Sequence, residues 1–286
     1  MFKSLQRKSM SEKILYICIS IFFAIVAFSY LYILIWMLLS GLKDHNSIVM
    51  DPFGLPETWH WSHFAETFTT LEVNGTGFMG MLFNSLWFSI IPVIISVITT
   101  VAFAYACTMY EFPTSKWPYF LTMLMITLPI YGTGGANYRL HWQLGLVNSY
   151  VAAFFSIGGF SIHYLYYQAF FKNMSRAYME AAEIDGANDF QIYYKVMLPQ
   201  AKPIITALGL TSWIGVWNSY EGAMIYRPQL PTLPLGIWQF NTEMIYRARL
   251  DILFAACLLV TIPTLILFIV FNKVITTNVS LGGIKG

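Results

Sequence analysis

Met179-Glu180-Ala181-Ala182-Glu183-Ile184-Asp185-Gly186-Ala187-Asn188-Asp189-Phe190-Gln191-Ile192-Tyr193-Tyr194-Lys195-Val196-Met197-Leu198-Pro199 is a polar island in an apolar chain. Glu180–Ile184 favours helix, because Ala and straight-chain residues lose little rotamer freedom there. Gly186 can take the left-handed conformation that stops a helix and turns the chain. A second short helix fits Ala187–Met197. It places Phe190, Tyr194 and Met197 at i, i+4 and i+7, one apolar face. Pro199 is expected to end it. The segment therefore reads as a helix–turn–helix lying at a membrane surface, with an apolar stripe that needs a partner.

The flanking sequence supplies the membrane. Hydrophobic residues make up 57% of the 286 residues and charged residues only 10%. A soluble domain carries about 25% charged residues. The deficit sits in uncharged runs: Ile14–Leu42, Val73–Tyr110, Trp117–Tyr138 and Ile252–Asn272. A bilayer core needs about 20 mostly apolar residues per helix. Buried helices of a large soluble protein would carry charged outer faces, and these runs have none. Cys18, Cys107 and Cys257 lie inside or beside apolar stretches without Cys-x-x-Cys spacing, so they read as core or lipid-facing residues rather than disulfides or metal ligands. The basic, then apolar N-terminus is too long in its apolar part for a signal peptide, and reads as an uncleaved first span.

The expected fold is an all-α integral membrane protein with six spans, near Ile14–Leu39, Asn84–Met109, Trp117–Tyr131, Tyr150–Phe171, Pro203–Tyr226 and Ile252–Phe271. Pro129, Gly132, Gly134 and Gly135 break the third early. Of the 16 Lys and Arg, 11 fall on the side of the termini and of the quoted loop, and 5 on the other. The positive-inside rule then puts both termini in the cytoplasm. Three regions follow: 1–79 with the N-terminal tail, first span and an outer loop; 80–271 with five spans and the cytoplasmic loop 172–202; and the tail 272–286. The outer loop holds Trp59 and Trp61, which suit the headgroup boundary. Asn74-Gly75-Thr76 is a formal glycosylation sequon, read as chance.

Glu180, Ala181, Ala182, then Asp185, Gly186, Ala187, then Phe190, and a closing Leu198-Pro199 resemble the EAA loop of binding-protein-dependent ABC permeases. Outside the loop, Asn84-Ser85-Leu86, Ala104-Tyr105-Ala106, Leu144–Asn148, Trp217-Asn218, Pro263, Pro231–Gly236 and the final Gly282-Gly283-Ile284-Lys285-Gly286 look like the carbohydrate-uptake branch, in its maltose-importer second-subunit (MalG-type) form. Asn278 departs from the Gly usual there. The resemblance implies a type I importer permease fold. Its loop would be a coupling helix seated in a cleft of a cytoplasmic ATPase, with small Ala181 and Ala182 allowing close approach and Glu180 able to pair with a basic residue. Lys285 and Gly286 would reach the ATPase dimer interface. It also implies a second permease subunit (MalF-type), an ATPase dimer that binds the ATP and Mg, an extracellular solute-binding protein, and a multi-pass place in a bacterial or archaeal cytoplasmic membrane.

The residues agree with a non-catalytic subunit. There is no Gly-Lys dipeptide, hence no phosphate-binding loop of the G-x-x-x-x-G-K type. No catalytic or metal-binding set and no nucleic-acid signal is expected. The competing reading is an ion-coupled secondary transporter. It would need intramembrane carboxylates or histidines, and the spans offer only His163 and Glu221. Sugar contact needs aromatic faces beside amides and carboxylates. Trp217, Asn218, Tyr220 and Glu221 combine both in the fifth span. Their plainer role is interfacial anchoring, with Asn218 bonding a neighbouring helix. In the maltose system the partner permease supplies most sugar contacts. His163, Tyr164 and Tyr166 are weaker candidates. The sugar itself is not readable.

Overall fold

A computed structural model describes residues 10–128, 132–243 and 249–278. The chain is mostly helical and divides into two compact units.

The first unit comprises the described residues up to Leu71 together with 240–261. Its helix α1, Met10–Gly41, is apolar on every side and exposed along most of its length. Such a helix belongs in lipid or against another membrane chain. The outer loop is not irregular. It forms α2 (His45–Met50) and α3 (Ser62–Thr70), tied by buried polar groups. Lys43 Nζ donates to the Asp51 carbonyl (2.7 Å). His63 Nδ1 donates to the Gly41 carbonyl (3.0 Å) while its Nε2 lies 3.4 Å from buried Asp251. Arg249 Nε forks onto Asp251 (3.0 and 3.1 Å) and its Nη2 reaches Glu66 (2.8 Å). Asp251 is 5% exposed at its side chain, and these partners supply the hydrogen bonds that a buried carboxyl needs. Trp59 and Trp61 are exposed.

The hydrogen bond from Arg249 holds the Glu66 carboxyl below the usual carboxylate range. A depressed folded-state pKa stabilises this unit above the unfolded carboxylate value, and that contribution is lost as pH falls through the lower folded value. Glu66 is 41% exposed, so screening limits the effect to under about 1 kcal/mol. Melting followed by Trp fluorescence between about pH 6 and pH 3 should fall less steeply for Glu66→Gln than for wild type.

The second unit comprises 72–239 and the described residues from 262 onward. It opens with a hairpin, β1 (Glu72–Val73) against β2 (Thr76–Gly77), antiparallel. Asn74 (φ 50°) and Gly75 (φ 80°) form its turn, which is what an Asn-Gly pair between strands specifies. The sequon reading missed that signal. Helix α4, Phe78–Met109, follows; it starts six residues before the expected second span and is the spine of the unit. Next come α5 (Trp117–Thr127), α6 (Thr133–Gln143), a 3-10 turn (Tyr150–Phe155) and α7 (Ile162–Lys172). The expected third span ends at Thr127, and its expected last residue, Tyr131, lies outside the described residues, as does Pro129.

The expected fourth span, Tyr150–Phe171, is not one helix. Between the 3-10 turn and α7 the chain runs irregularly past α4. Gly158 donates its N–H to Thr99 Oγ1 (2.8 Å), and a Cβ there would collide with Thr100 Oγ1 and the Ser96 carbonyl. Close backbone approach won over helix propensity at that point. Irregular backbone at membrane depth survives where protein buries it.

The rest of the chain is α8 (Ala177–Ile184), α9 (Asp189–Gln191), a π-helical stretch (Ile192–Met197), α10 (Leu198–Asn218), α11 (Glu221–Tyr226), α12 (Leu233–Thr242) and α13 (Leu250–Asn278). The expected fifth span thus breaks at Ser219-Tyr220. Among the described residues, three helices are long and apolar enough to cross a membrane: Met10–Gly41, Phe78–Met109 and the Leu250–Asn272 part of α13. The three cysteines carry no disulfide.

Candidate functional site

The Met179–Pro199 segment is a helix–turn–helix. Gly186 has φ +80°, with Gly186 N–H donating to the Glu183 carbonyl and Ala187 N–H to the Ala182 carbonyl, both 3.0 Å. This is the paired bonding of a Schellman C-cap, which requires a left-handed residue at that position. Asn188 then starts the next helix with a capping box: its side chain accepts from Gln191 N–H (2.9 Å), and its own N–H donates to Gln191 Oε1 (3.1 Å). Gly186 and Asn188 together fix the angle between the two arms.

The second arm differs from expectation. Pro199 does not end it. Ile192–Met197 widens into a π-helix that runs straight on into α10, with Pro199 near the start of α10. A π-turn realigns the backbone bonds, and proline is tolerated where a helical segment begins. The arm is therefore continuous with the expected fifth span. The widening also breaks the predicted stripe. Met197 is buried, but Phe190 and Tyr194 are 74% and 61% exposed. The buried pair is Ile192 and Met197, five apart, as a π period dictates.

The inner face of the hairpin packs into the bundle. Met179, Ala182, Ile192 and Met197 share a core with Tyr105 and Met109 of α4 and Tyr164, Tyr167 and Phe171 of α7. Tyr193 packs against Tyr105, ring centroids 4.8 Å apart and tilted by 43°. Arg176 pairs with Glu111 (3.3 Å). The outer edge is free: Glu180, Ala181, Asp185, Gly186 and Phe190 are exposed, Pro199 too, while Ala187 and Leu198 are half-buried. Ile184, 87% exposed, and the parallel-stacked Phe190–Tyr194 pair (6.3 Å) add apolar surface that the motif reading did not single out. Ile184 sits among charges, so only the burial of its neighbours Met179 and Ala182 reveals which way it faces. Lys285 and Gly286 lie outside the described residues.

The substrate candidates do not form one cluster. Trp217 is buried and stacks on Trp213 (4.9 Å). Asn218 Nδ2 donates to its own helix at the Ile214 carbonyl (2.9 Å), not to a neighbouring helix. Tyr220 stacks on Trp238 (5.2 Å), and Glu221 is exposed. Tyr164 is core, His163 half-buried and Tyr166 exposed. What Trp217 does line is a cavity of about 300 Å3, with Ser85, Phe88, Ser219, Arg227 and Thr232 among its walls. Arg227 had been counted only as a loop charge. The signal for it was its isolation between Glu221 and Glu243. Phe88 and Tyr105 lie 17 residues apart on α4, so cavity and hairpin are about 25 Å apart along the helix.

Comparison with known proteins agrees with this architecture. Residues 114–280 match the family described as "Binding-protein-dependent transport system inner membrane component". A diacetylchitobiose uptake system permease protein of Streptomyces coelicolor is 28% identical, the match covering 87% of this chain and 82% of that one. An arabinooligosaccharides transport system permease protein of Halalkalibacterium halodurans is 26% identical, over 98% of this chain and 100% of that one. Among solved structures, a chain of a bacterial ABC transporter involved in import of the acidic polysaccharide alginate superposes with a TM-score of 0.75 at 23% identity, covering 93% of this chain and 98% of that one; it shares the fold. The family match spans more than half of the sequence and includes the whole hairpin, and the chain belongs to the family of inner membrane components of binding-protein-dependent transport systems.

Proposed function

We propose that this chain is one of two permease subunits of an ATP-driven importer in a bacterial cytoplasmic membrane, and that its cargo is a carbohydrate handed over by an extracellular binding protein. The observation that carries the reading is the Met179–Pro199 hairpin, whose inner face is part of the membrane-domain core while its outer edge presents Glu180, Ile184, Phe190 and Tyr194 to solvent. The relatives named for diacetylchitobiose uptake and for arabinooligosaccharide transport support the cargo class.

In this reading the hairpin docks in a cleft of a cytoplasmic ATPase subunit. Ile184 and the Phe190–Tyr194 stack supply apolar anchorage, and Glu180 faces a basic residue. ATP and Mg are held by the ATPase pair. Closure of that pair pushes the hairpin, and the continuous π-to-α10 arm carries the displacement into the membrane helices. The topology is six passes with both ends inside: α1, α4, α5, the broken Tyr150–Lys172 pass, α10–α11 and α13. The tail with Lys285 and Gly286 reaches the ATPase interface. Cysteine placed at Phe190 should form an oxidative cross-link to the ATPase subunit in native membranes, whereas cysteine at Phe154, 50% exposed on the 3-10 turn, should not. Equal cross-linking from both positions, or from neither, contradicts the docking.

A further inference from the structure

The cavity lined by Trp217 contains a cation without a counter-ion. Among the described residues the Arg227 side chain makes no hydrogen bond or ion pair, and its Nε is closed off from solvent without a partner. A guanidinium stays charged at any accessible pH. Arg227 is half-buried, and an unpaired charge in such a site carries a desolvation cost that an anion in the cavity would offset. A second orphan lines the same cavity: Thr232 is 6% exposed and its Oγ1 has no partner.

The guanidinium is also held in place. Its Cζ sits 4.0 Å over the Phe88 ring, and Phe88 stacks on Tyr150 at 5.6 Å and 7°. Tyr150 OH donates to Asn84 Oδ1 (2.7 Å), and Asn84 Nδ2 donates to the Pro231 carbonyl (2.9 Å). The backbone on both sides of Arg227 is pinned. Asn148 N–H donates to the Tyr226 carbonyl and Asn148 Oδ1 accepts from Gln229 N–H, both 2.9 Å. Asn74 Nδ2 donates to the Pro228 carbonyl (2.8 Å). The stack uses one face of the guanidinium and leaves its donor edge unspent. A planar donor fork fixed in this way suits a carboxylate or sulfate ester, which it can take bidentately. The neighbouring hydroxyls of Ser85, Ser219 and Thr232 suit the sugar that carries it.

We propose that this cavity binds the anionic group of an acidic saccharide, with Arg227 as the residue that discriminates acidic from neutral cargo. The proposal rests on the saccharide reading above.

The test uses the intact importer, both permease subunits with ATPase and binding protein, in phosphatidylcholine vesicles, where no anionic lipid can serve as counter-ion. ATP-driven uptake is measured for uronate and sulfate-ester oligosaccharides and for neutral oligosaccharides of equal length. Wild type should carry the acidic class. Arg227→Gln should cut that uptake by about thirtyfold or more, and Arg227→Lys by less, since it keeps the charge and loses the fork. Both variants should assemble with the partner subunits as wild type does. If wild type carries only the neutral class, or if Arg227→Gln lowers both classes equally or impairs assembly, Arg227 is a structural or subunit-pairing residue and the proposal is overturned. Uptake of neither class overturns the saccharide reading itself, and this proposal with it.

Discussion

Gly186→Pro should abolish substrate uptake while the ATPase keeps hydrolysing ATP. Gly186 sits at φ +80° and its N–H donates to the Glu183 carbonyl (3.0 Å). Proline fixes φ near −65° and has no N–H, so the substitution removes both features and costs about 3 kcal/mol or more locally. That is roughly a hundredfold in the population of the intact turn. Space is not the issue, since nothing lies within 4 Å of a Cβ placed at Gly186. Gly186→Ala should therefore act through backbone strain alone, at about 1 to 2 kcal/mol, and leave partial uptake. Expression and assembly should survive in both, because the hairpin's inner residues Ala182, Ile192 and Met197 anchor each arm independently. Uptake and hydrolysis measured in parallel separate uncoupling from misfolding. Normal uptake by the proline variant would mean that the angle between the arms does not transmit the stroke.

Gly158→Ala should produce the largest loss of stability of any single methyl addition in the second unit. The added carbon would overlap Thr100 Oγ1 and the Ser96 carbonyl, and lie 2.7 Å from Ser96 Oγ. A hydroxyl can rotate away. The Ser96 carbonyl cannot, because it belongs to the α4 backbone and already accepts from Thr100 Oγ1 (2.6 Å). Overpacking of this kind costs about 1 to 3 kcal/mol. The 156–161 segment should lift from α4 and break the Gly158-to-Thr99 bond. Thr100→Ala should rescue only part of the loss. Thermal melting of the detergent-solubilised complex reads this directly, with Gly159→Ala as a control, since nothing lies within 4 Å of that position.

These two glycines show where the sequence was legible. At Gly186 the signal is local: a helix former, a glycine, then an Asn with Gln three residues on. Turn and cap chemistry is written in adjacent residues, and there it was sufficient for the glycine turn. Gly158 owes its role to α4, some 60 residues earlier, and no local pattern announces a backbone approaching another helix. The same holds for the expected fourth span, whose apolar composition fits either a helix or a buried irregular segment. The π-turn at Ile192–Met197 was also invisible. The sequence offers a 3.6-residue stripe through Phe190, Tyr194 and Met197, and only the burial of Ile192 with Met197 in the core that holds Tyr164 and Phe171 selects the wider period. The outer loop hid its order in polar residues 183 positions apart, Glu66 and Arg249. Hydropathy fared best. Among the described residues, long uncharged runs marked all three of the long apolar helices, though each helix begins before the span expected there.

The substrate residues fared worst, for a related reason. Trp217, Asn218, Tyr220 and Glu221 are neighbours in sequence, but on a helix that breaks at Ser219 they point to different surroundings. Arg227 was passed over because its environment is built by Phe88, Tyr150 and Asn148 from elsewhere in the chain.

In the proposed function, ATP binding and hydrolysis at a partner, transmitted through the Met179–Pro199 hairpin, drive transport. The most direct test is uptake by the reconstituted complex in sealed vesicles, with ATP supplied and proton and sodium gradients collapsed, and the reverse. Uptake should persist with ATP and no ion gradient, and vanish without ATP however steep the gradient. Uptake driven by an ion gradient in the absence of ATP would contradict the account.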